Sequence, residues 1–352
     1  MTDRGQRSAS DSLVVYESPI TRERIEMLWP PTDLIEAEEL RSALEIPPWV
    51  DLSDTTVRQG VVGLWGERRR LEALALPRTE AQRSRSSSAR LIGGVAFRIL
   101  CPSANVDGGF RRPLKDVDYL VGPGEGQAFV DSLLRLSRWA GSSYLHFLLA
   151  EDRQFNALRG GKRFRVRAVS PSAEGEPVEI RVTDVFVGGL QFCHRLPVGD
   201  LGQPGLTVAL PELLLTKLQF VKRVPGAVVG LAHAHRVIAQ LGRHDVAVGM
   251  EEKDILDVAA AFLDVQDVAG LSASLSGAVA ATGDWGLWKT VSLNLANTEA
   301  VHRVLESRGV ARRAGEAIVG RMAAASELMA QREPRRHVWN RSSIWFDEVD
   351  DK

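Results

Sequence analysis

The chain reads as an α+β protein, a mixed β-sheet region followed by a mainly helical one. Three observations predict this. Strand-like runs cluster between residues 89 and 206. Helical spacing of apolar residues dominates after Pro204-Gly205. The composition, 44% hydrophobic and 25% charged, is that of an ordinary globular chain. Strands with a few helices first, then helices alone, is the α+β order.

The elements follow in turn. Residues 1–12 are polar and expected to be disordered, and residues 13–55, with Pro30-Pro31 and Pro47-Pro48, yield no assignment. Val61, Val62, Leu64, Trp65, Leu71, Leu74 and Leu76 predict a helix over 55–76. Arg83–Ser88 reads as a linker. Arg90-Leu91-Ile92 predicts a short strand ending at Gly93-Gly94, with a helix over 95–100 behind it. Asp116–Val121 alternates as a strand, and 127–139 reads as an amphipathic helix. Strands are predicted at 144–149, 164–169, 178–186 and 191–196, with Gly160-Gly161 and Gly188-Gly189 as turns. A last short strand is predicted at 206–209. Pro211 suits the first turn of a helix running to about Arg223. Further helices are predicted at 227–241, 251–264, 296–307 and 311–331. The expected domains are 1–55, an N-terminal extension, partly disordered; 56–205, the sheet domain; 206–332, the helical domain; and 333–352, a C-terminal tail.

Composition excludes some classes. The 352 residues carry a formal net charge of -1, so no global bias toward nucleic acid or anionic membrane exists. Locally, residues 58–115 hold twelve Lys/Arg against four Asp/Glu, a net +8. That stretch and the Arg-rich 303–336 could flank a polyanion such as tRNA, although charge runs also serve simply as solvated faces. Cys101 and Cys193 read as buried free thiols of a reducing compartment. No apolar run approaches the ~18–20 residues of a membrane helix. A cytoplasmic protein without membrane association is expected. His233, His235 and His244 lack metal-ligand company and read as surface residues, while Trp285, Trp288, Trp339 and Trp345 are expected to pack the helical domain.

Three features carry chemistry. Gly93-Gly94 sits between strand and helix, where free N–H groups and the positive dipole end suit a phosphate. The bland alternative is a turn. In Asp116-Val117-Asp118 the strand period puts both carboxylates on one face and Val117 on the other. Two like charges there suit a hard cation such as Mg²⁺; the alternative is a solvated strand end. Asp184 interrupts an apolar strand pattern, which is costly when buried unless the acid is paired or metal-bound. Taken singly, an edge-strand acid facing water explains it as well.

In this order the three features resemble the nucleotidyltransferase superfamily with the DNA polymerase β-like palm. Further on, Leu213-Leu214-Leu215-Thr216-Lys217-Leu218 and Lys253-Asp254-Ile255-Leu256-Asp257 resemble the branch containing the AbiEii-type abortive-infection toxins and the mycobacterial MenT toxins. The matches span residues 89–263. Two departures stand out. Leu114 replaces the Thr of the Arg-x-Thr-x-Asp-x-Asp segment, which begins here at Arg112. Twenty-one residues separate Gly94 from Asp116, consistent with an inserted loop around Cys101–Arg111.

The resemblance implies a palm domain that transfers NMP from an NTP to an acceptor hydroxyl. Asp116, Asp118 and Asp184 would hold Mg²⁺ or Mn²⁺, Asp184 serving as ligand or base. Gly93, Gly94 and Lys217 would hold the triphosphate, and Asp254 would partner Lys217. The acceptor is an RNA 3′ end such as tRNA if the toxin resemblance holds, and a cognate antitoxin is then an expected partner. A small-molecule, antibiotic-type nucleotidyltransferase and a catalytically inactive nucleotide- or partner-binding member are the alternatives. Read without the resemblance, Lys217 would snorkel to water, and Lys253, Asp254 and Asp257 would form a charged helix face. If Lys217 neutralises the triphosphate, Lys217→Ala is expected chiefly to reduce NTP binding and turnover and to leave the melting temperature nearly unchanged without nucleotide.

Overall fold

The computed structural model describes residues 12–17, 24–29, 35–75, 89–139, 146–151, 162–170, 178–191, 195–196, 198–199, 201, 205–219, 221–223, 246–248 and 250–332. The polar N-terminus, the 83–88 linker, the 227–241 helix, Cys193, the three histidines named above, Trp339, Trp345 and the 333–352 tail lie outside the described residues.

The strands are β1 (Ser12–Glu17), β2 (Arg24–Trp29), β3 (Arg90–Ile92), β4 (Asp116–Val121), β5 (His146–Glu151), β6 (Lys162–Ser170), β7 (Val178–Val187), β8 (Leu190–Gln191), β9 (Arg195–Leu196), β10 (Val221–Arg223) and β11 (Val246–Val248). The helices are α1 (Ala37–Leu44), α2 (Thr55–Ala75), α3 (Gly93–Leu100), α4 (Gly126–Trp139), α5 (Leu210–Leu218), α6 (Glu252–Asp264), α7 (Val268–Thr282), α8 (Trp285–Ala296), α9 (Thr298–Ser307) and α10 (Arg312–Gln331). The architecture is α+β, with a five-stranded mixed sheet in the order β3-β4-β7-β6-β5. Only β4 and β7 run parallel; their neighbours pair antiparallel.

Alternation along β4 assigns the two faces of the sheet. Val117, Tyr119 and Val121 are buried on one face, which α2 and α4 cover. The Tyr119 hydroxyl donates to the Gly60 carbonyl at 2.8 Å, and its ring meets Phe129 edge-on with centroids 4.9 Å apart. Gly63 has to be glycine, because a Cβ there would collide with the Tyr119 hydroxyl. The opposite face carries Asp116 and Asp118 near the strand start and buried Leu120 further along. There α3 connects the sheet to α5 and α6.

Helix α5 is the hub of the helical layer. Leu213, Leu214, Leu215 and Leu218 are fully buried, and α3, α6, α7 and α8 pack around them. Side chains finish the helix ends that packing hides from water. Asn294 donates to the Leu218 carbonyl at 2.7 Å, and Arg321 reaches the carbonyls of Phe262 at 2.8 Å and Leu263 at 2.6 Å. Asp267 and Asp284 cap α7 and α8 by accepting from Gly270 and Leu287.

Several expectations need correction. The helix after Pro211 ends at Leu218, not Arg223, because Asn294 terminates it and the β-branched Val221 enters β10. The chain beyond 206 is therefore not helical throughout, since β10 and β11 pair there. Residues 206–209 make only one bridge, Thr207 to Leu91, before α5 begins. The strand expected at 191–196 is the tight pair β8–β9. Helices α1, α7 and α8 and the β1–β2 hairpin lie in segments left unassigned. In α7 the apolar positions are largely Ala and Gly, whose periodicity is faint. Cys101 is a buried free thiol, its pKa pushed up by burial. Among the described residues, no helix is long and apolar enough to cross a membrane.

Candidate active site

Register builds the site. Asp118 on β4 is the Cα partner of Asp184 on parallel β7 and of Ile92 on β3. Residues in register across a sheet share a face, so both carboxylates lie on the face that α3 joins. Asp116, two residues before Asp118, stands on the same face and is exposed. Helix α3 starts immediately beyond Ile92. Gly93 adopts φ 65°, the left-handed region, and a Cβ there would run into the Asp118 carboxylate. Glycine is required on both counts. The backbone thus turns into a helix N-terminus directly against Asp118.

Gly94 looks the other way. A Cβ on it would approach Arg112 Nη2 at 2.5 Å. Arg112 forks onto Asp257 of α6, with Nε to Oδ1 at 2.9 Å and Nη2 to Oδ2 at 2.7 Å. Lys217 of α5 lies between the two acids of α6, 2.8 Å from Asp254 Oδ1 and 3.4 Å from Asp257 Oδ2. Burial opposes the Lys217 charge, but Asp257 and Asp254 outweigh it and raise its pKa. The pairing of Lys217 with Asp254 in the absence of nucleotide is as expected. Its burial is not: only 11% of the side chain is exposed. Lys217 is no snorkelling surface residue, so the reason for expecting its truncation to be neutral for stability falls away.

The long Gly94–Asp116 connection has a visible job. It forms a 3₁₀ turn over Pro102–Asn105, and Ser103 donates its N–H to Asp264 at 2.9 Å. Arg98 donates to the carbonyls of Ala104 and, at 2.7 Å, Arg112. The loop therefore delivers Arg112 to Gly94 with its backbone already held.

Electrostatics separates the sheet carboxylates from the helical ones. Asp118 is pushed up to about 8, first by burial and then by the charges of Asp116 and Asp184; Lys217 and Arg163 only partly counter this. Asp184 is clamped by Arg165 of β6, Nε to Oδ1 at 2.8 Å and Nη2 to Oδ2 at 2.9 Å. Arg163 lies 3.5 Å from Oδ2. Asp116 and Asp118 fit a divalent cation: hard oxygens on one face, with a charge repulsion that a cation would relieve. Arg165 already engages both oxygens of Asp184, so the third carboxylate is shared rather than free for a cation, and no ready-made group of three ligands exists among the described residues.

The structure thus brings Gly93, Gly94, Asp116, Asp118, Asp184, Lys217 and Asp254 to one end of the sheet and the helices beside it. Sequence reading did not assign Arg165, Asp257 or Arg112 a place in the site. Asp257 could have been found from its i, i+3 spacing to Asp254 on α6. Arg112 opens the segment that contains Asp116 and Asp118. Arg165 carried no local signal.

No protein-family model matches the chain, and no curated protein matches it. Among solved structures, the crystal structure of JHP933 from Helicobacter pylori is similar at 12% identity, covering 82% of this chain and 100% of that chain with a TM-score of 0.32. Likeness at that level carries neither fold nor function across.

Proposed function

We propose that the chain is a metal-dependent nucleotidyltransferase with a polymerase β-like palm, of the AbiEii/MenT type. The observation that supports it is the row of Asp118 and Asp184 in register, with Asp116 beside it, against the Gly93-Gly94 helix start. In this reading Asp116 and Asp118 hold Mg²⁺ or Mn²⁺, which when bound neutralises phosphate charge and orients the reacting oxygens. The N–H groups of Gly93-Gly94 face the triphosphate, and the dipole of α3 favours its charge. Lys217, with Arg112 nearby, adds positive potential while Asp254 and Asp257 keep both side chains in place. An acceptor hydroxyl oxygen bonds to the α-phosphorus, the bond to the β-phosphate's bridging oxygen breaks, and pyrophosphate leaves. Once released from Arg165, Asp184 either takes the hydroxyl proton or joins Asp116 and Asp118 as a ligand, the proton then passing to water. The catalytic contribution is positioning and charge compensation.

An RNA 3′ end is the proposed acceptor and a cognate antitoxin the proposed partner; a small cationic acceptor is the alternative within the same chemistry. A second reading, a nucleotide-binding member without turnover, is favoured by the Arg165–Asp184 clamp. Incubation with each labelled NTP, Mg²⁺ and either total RNA or small hydroxylated acceptors separates these. Label on RNA that is lost in Asp118→Asn supports the leading reading. Label on small molecules alone moves the acceptor. Nucleotide binding with no transfer to either supports the second reading.

A further inference from the structure

Asp184 is held from one side and crowded from the other. Arg165 is its Cα partner in the antiparallel register of β6 and β7, and Asp118 is its partner in the parallel register of β4 and β7. The row Arg165, Asp184, Asp118 therefore crosses three adjacent strands on one face. At one end a guanidinium engages both oxygens of Asp184, at 2.8 and 2.9 Å. At the other end stand Asp118 and Asp116. The Asp184 side chain is only 7% exposed, while the Arg165 side chain that reaches it is 32% exposed.

The planar fork of arginine matches a carboxylate in a way that the single ammonium of lysine cannot. A divalent cation held by Asp118 and Asp184 would have to share the Asp184 carboxylate with Arg165, which already engages both of its oxygens. Arg163, 3.5 Å from Oδ2, leans on the same oxygen that Nη2 engages.

We propose that Arg165 is a positioning residue that competes with the divalent cation for Asp184. It draws the third carboxylate away from Asp116 and Asp118 and so holds the metal affinity of the resting site down. This rests on the reading of Asp116 and Asp118 as cation ligands. Cation binding and release of Arg165 are then one coupled event, and Asp184 becomes available only when the site fills.

The test uses the full chain and Mn²⁺ alone, with free Mn²⁺ followed by electron paramagnetic resonance. Wild type is compared with Arg165→Gln, Arg165→Lys, Asp184→Asn, the Asp184→Asn/Arg165→Gln double variant and Asp118→Asn. Both Arg165 variants are expected to bind Mn²⁺ about tenfold or more tightly than wild type, the scale on which partners of metal ligands tune affinity. The gain from Arg165→Gln should vanish in the Asp184→Asn background. Arg165→Lys keeps the charge but not the fork, and it stands in if Arg165→Gln does not fold. A lysine variant equal to wild type, or a gain that survives in Asp184→Asn, overturns the proposal in favour of through-space charge. Equal affinity in wild type and all Arg165 variants, with binding still lost in Asp118→Asn, overturns the competition but leaves the metal reading standing. No Mn²⁺ binding by any of the proteins overturns both.

Discussion

Two clusters of charge meet at the first two residues of α3, and they are balanced in different ways. Beside Gly94 lies Arg112, which with Lys217, Asp254 and Asp257 makes one network of two cations and two carboxylates. Beside Gly93 lies Asp118, with Asp116 two residues before it on β4 and Asp184 already engaged by Arg165. The helical cluster is compensated by its own residues and acts as a frame. The sheet cluster is under-compensated, and its strain appears as the raised pKa of Asp118. A frame is conserved in geometry when ligands come and go, whereas an uncompensated pair is where an added cation gains most.

The sharpest way to break this distinction is Asp118→Asn. On the proposed function, label transfer should fall at least about a thousandfold, because one charge of the pair that would hold the cation is gone, while the protein still folds. Transfer at the wild-type rate would make Asp118 a structural residue.

Lys217→Ala should do the reverse and strike stability first. It leaves Asp254 without its near cation in a buried setting, and breaking such a pair costs about 3–5 kcal/mol. Chemical denaturation measures this. A loss under about 1 kcal/mol would match an exposed pair instead and dissolve the frame. The sign with pH follows from its raised pKa: the contribution is present below the ordinary lysine value of 10.5 and is lost only as pH rises through the higher folded value.

Gly93→Ala should cost about 1–2 kcal/mol for the left-handed backbone alone, with more from the approach to Asp118. A melting temperature equal to wild type would show that the α3 start adjusts freely.

The smallest effect is a pH signature. Folded Asp118 keeps its proton up to about 8, whereas the unfolded chain loses it near 3.8. Stability from this group is therefore full below 3.8 and declines as pH rises through about 8. The melting temperature gained by Asp118→Asn should be larger at about pH 9 than at about pH 5. Mn²⁺ added at the higher pH should raise the wild-type melting temperature and not that of the variant. A gain independent of pH would mean that Asp118 is solvated and carries no strain.

Much of the site was legible because its signals are local. A Gly-Gly between a strand and a helix, two acids at strand period and one acid inside an apolar strand can each be seen in a short window. Asp254 and Asp257 share a helix face by spacing alone. The boundaries of α2, α4, α6, α9 and α10 follow from apolar periodicity to within two residues. Segments such as α7, built from small residues, and the hairpin β1–β2 lacked that contrast.

By itself the sequence determined the α+β class, the strongly periodic elements and which carboxylates share the face of β4, since periodicity decides these within one segment. Only the tertiary structure decided what each charge touches. Arg165 reaches Asp184 because β6 and β7 pair in one register out of several that the pattern allows. Lys217 is buried because α6 closes over α5 with two acids turned inward. Pairing between strands and packing between helices are set by contacts far apart in the chain, so neither the clamp on Asp184 nor the burial of Lys217 leaves a mark in any local stretch of residues.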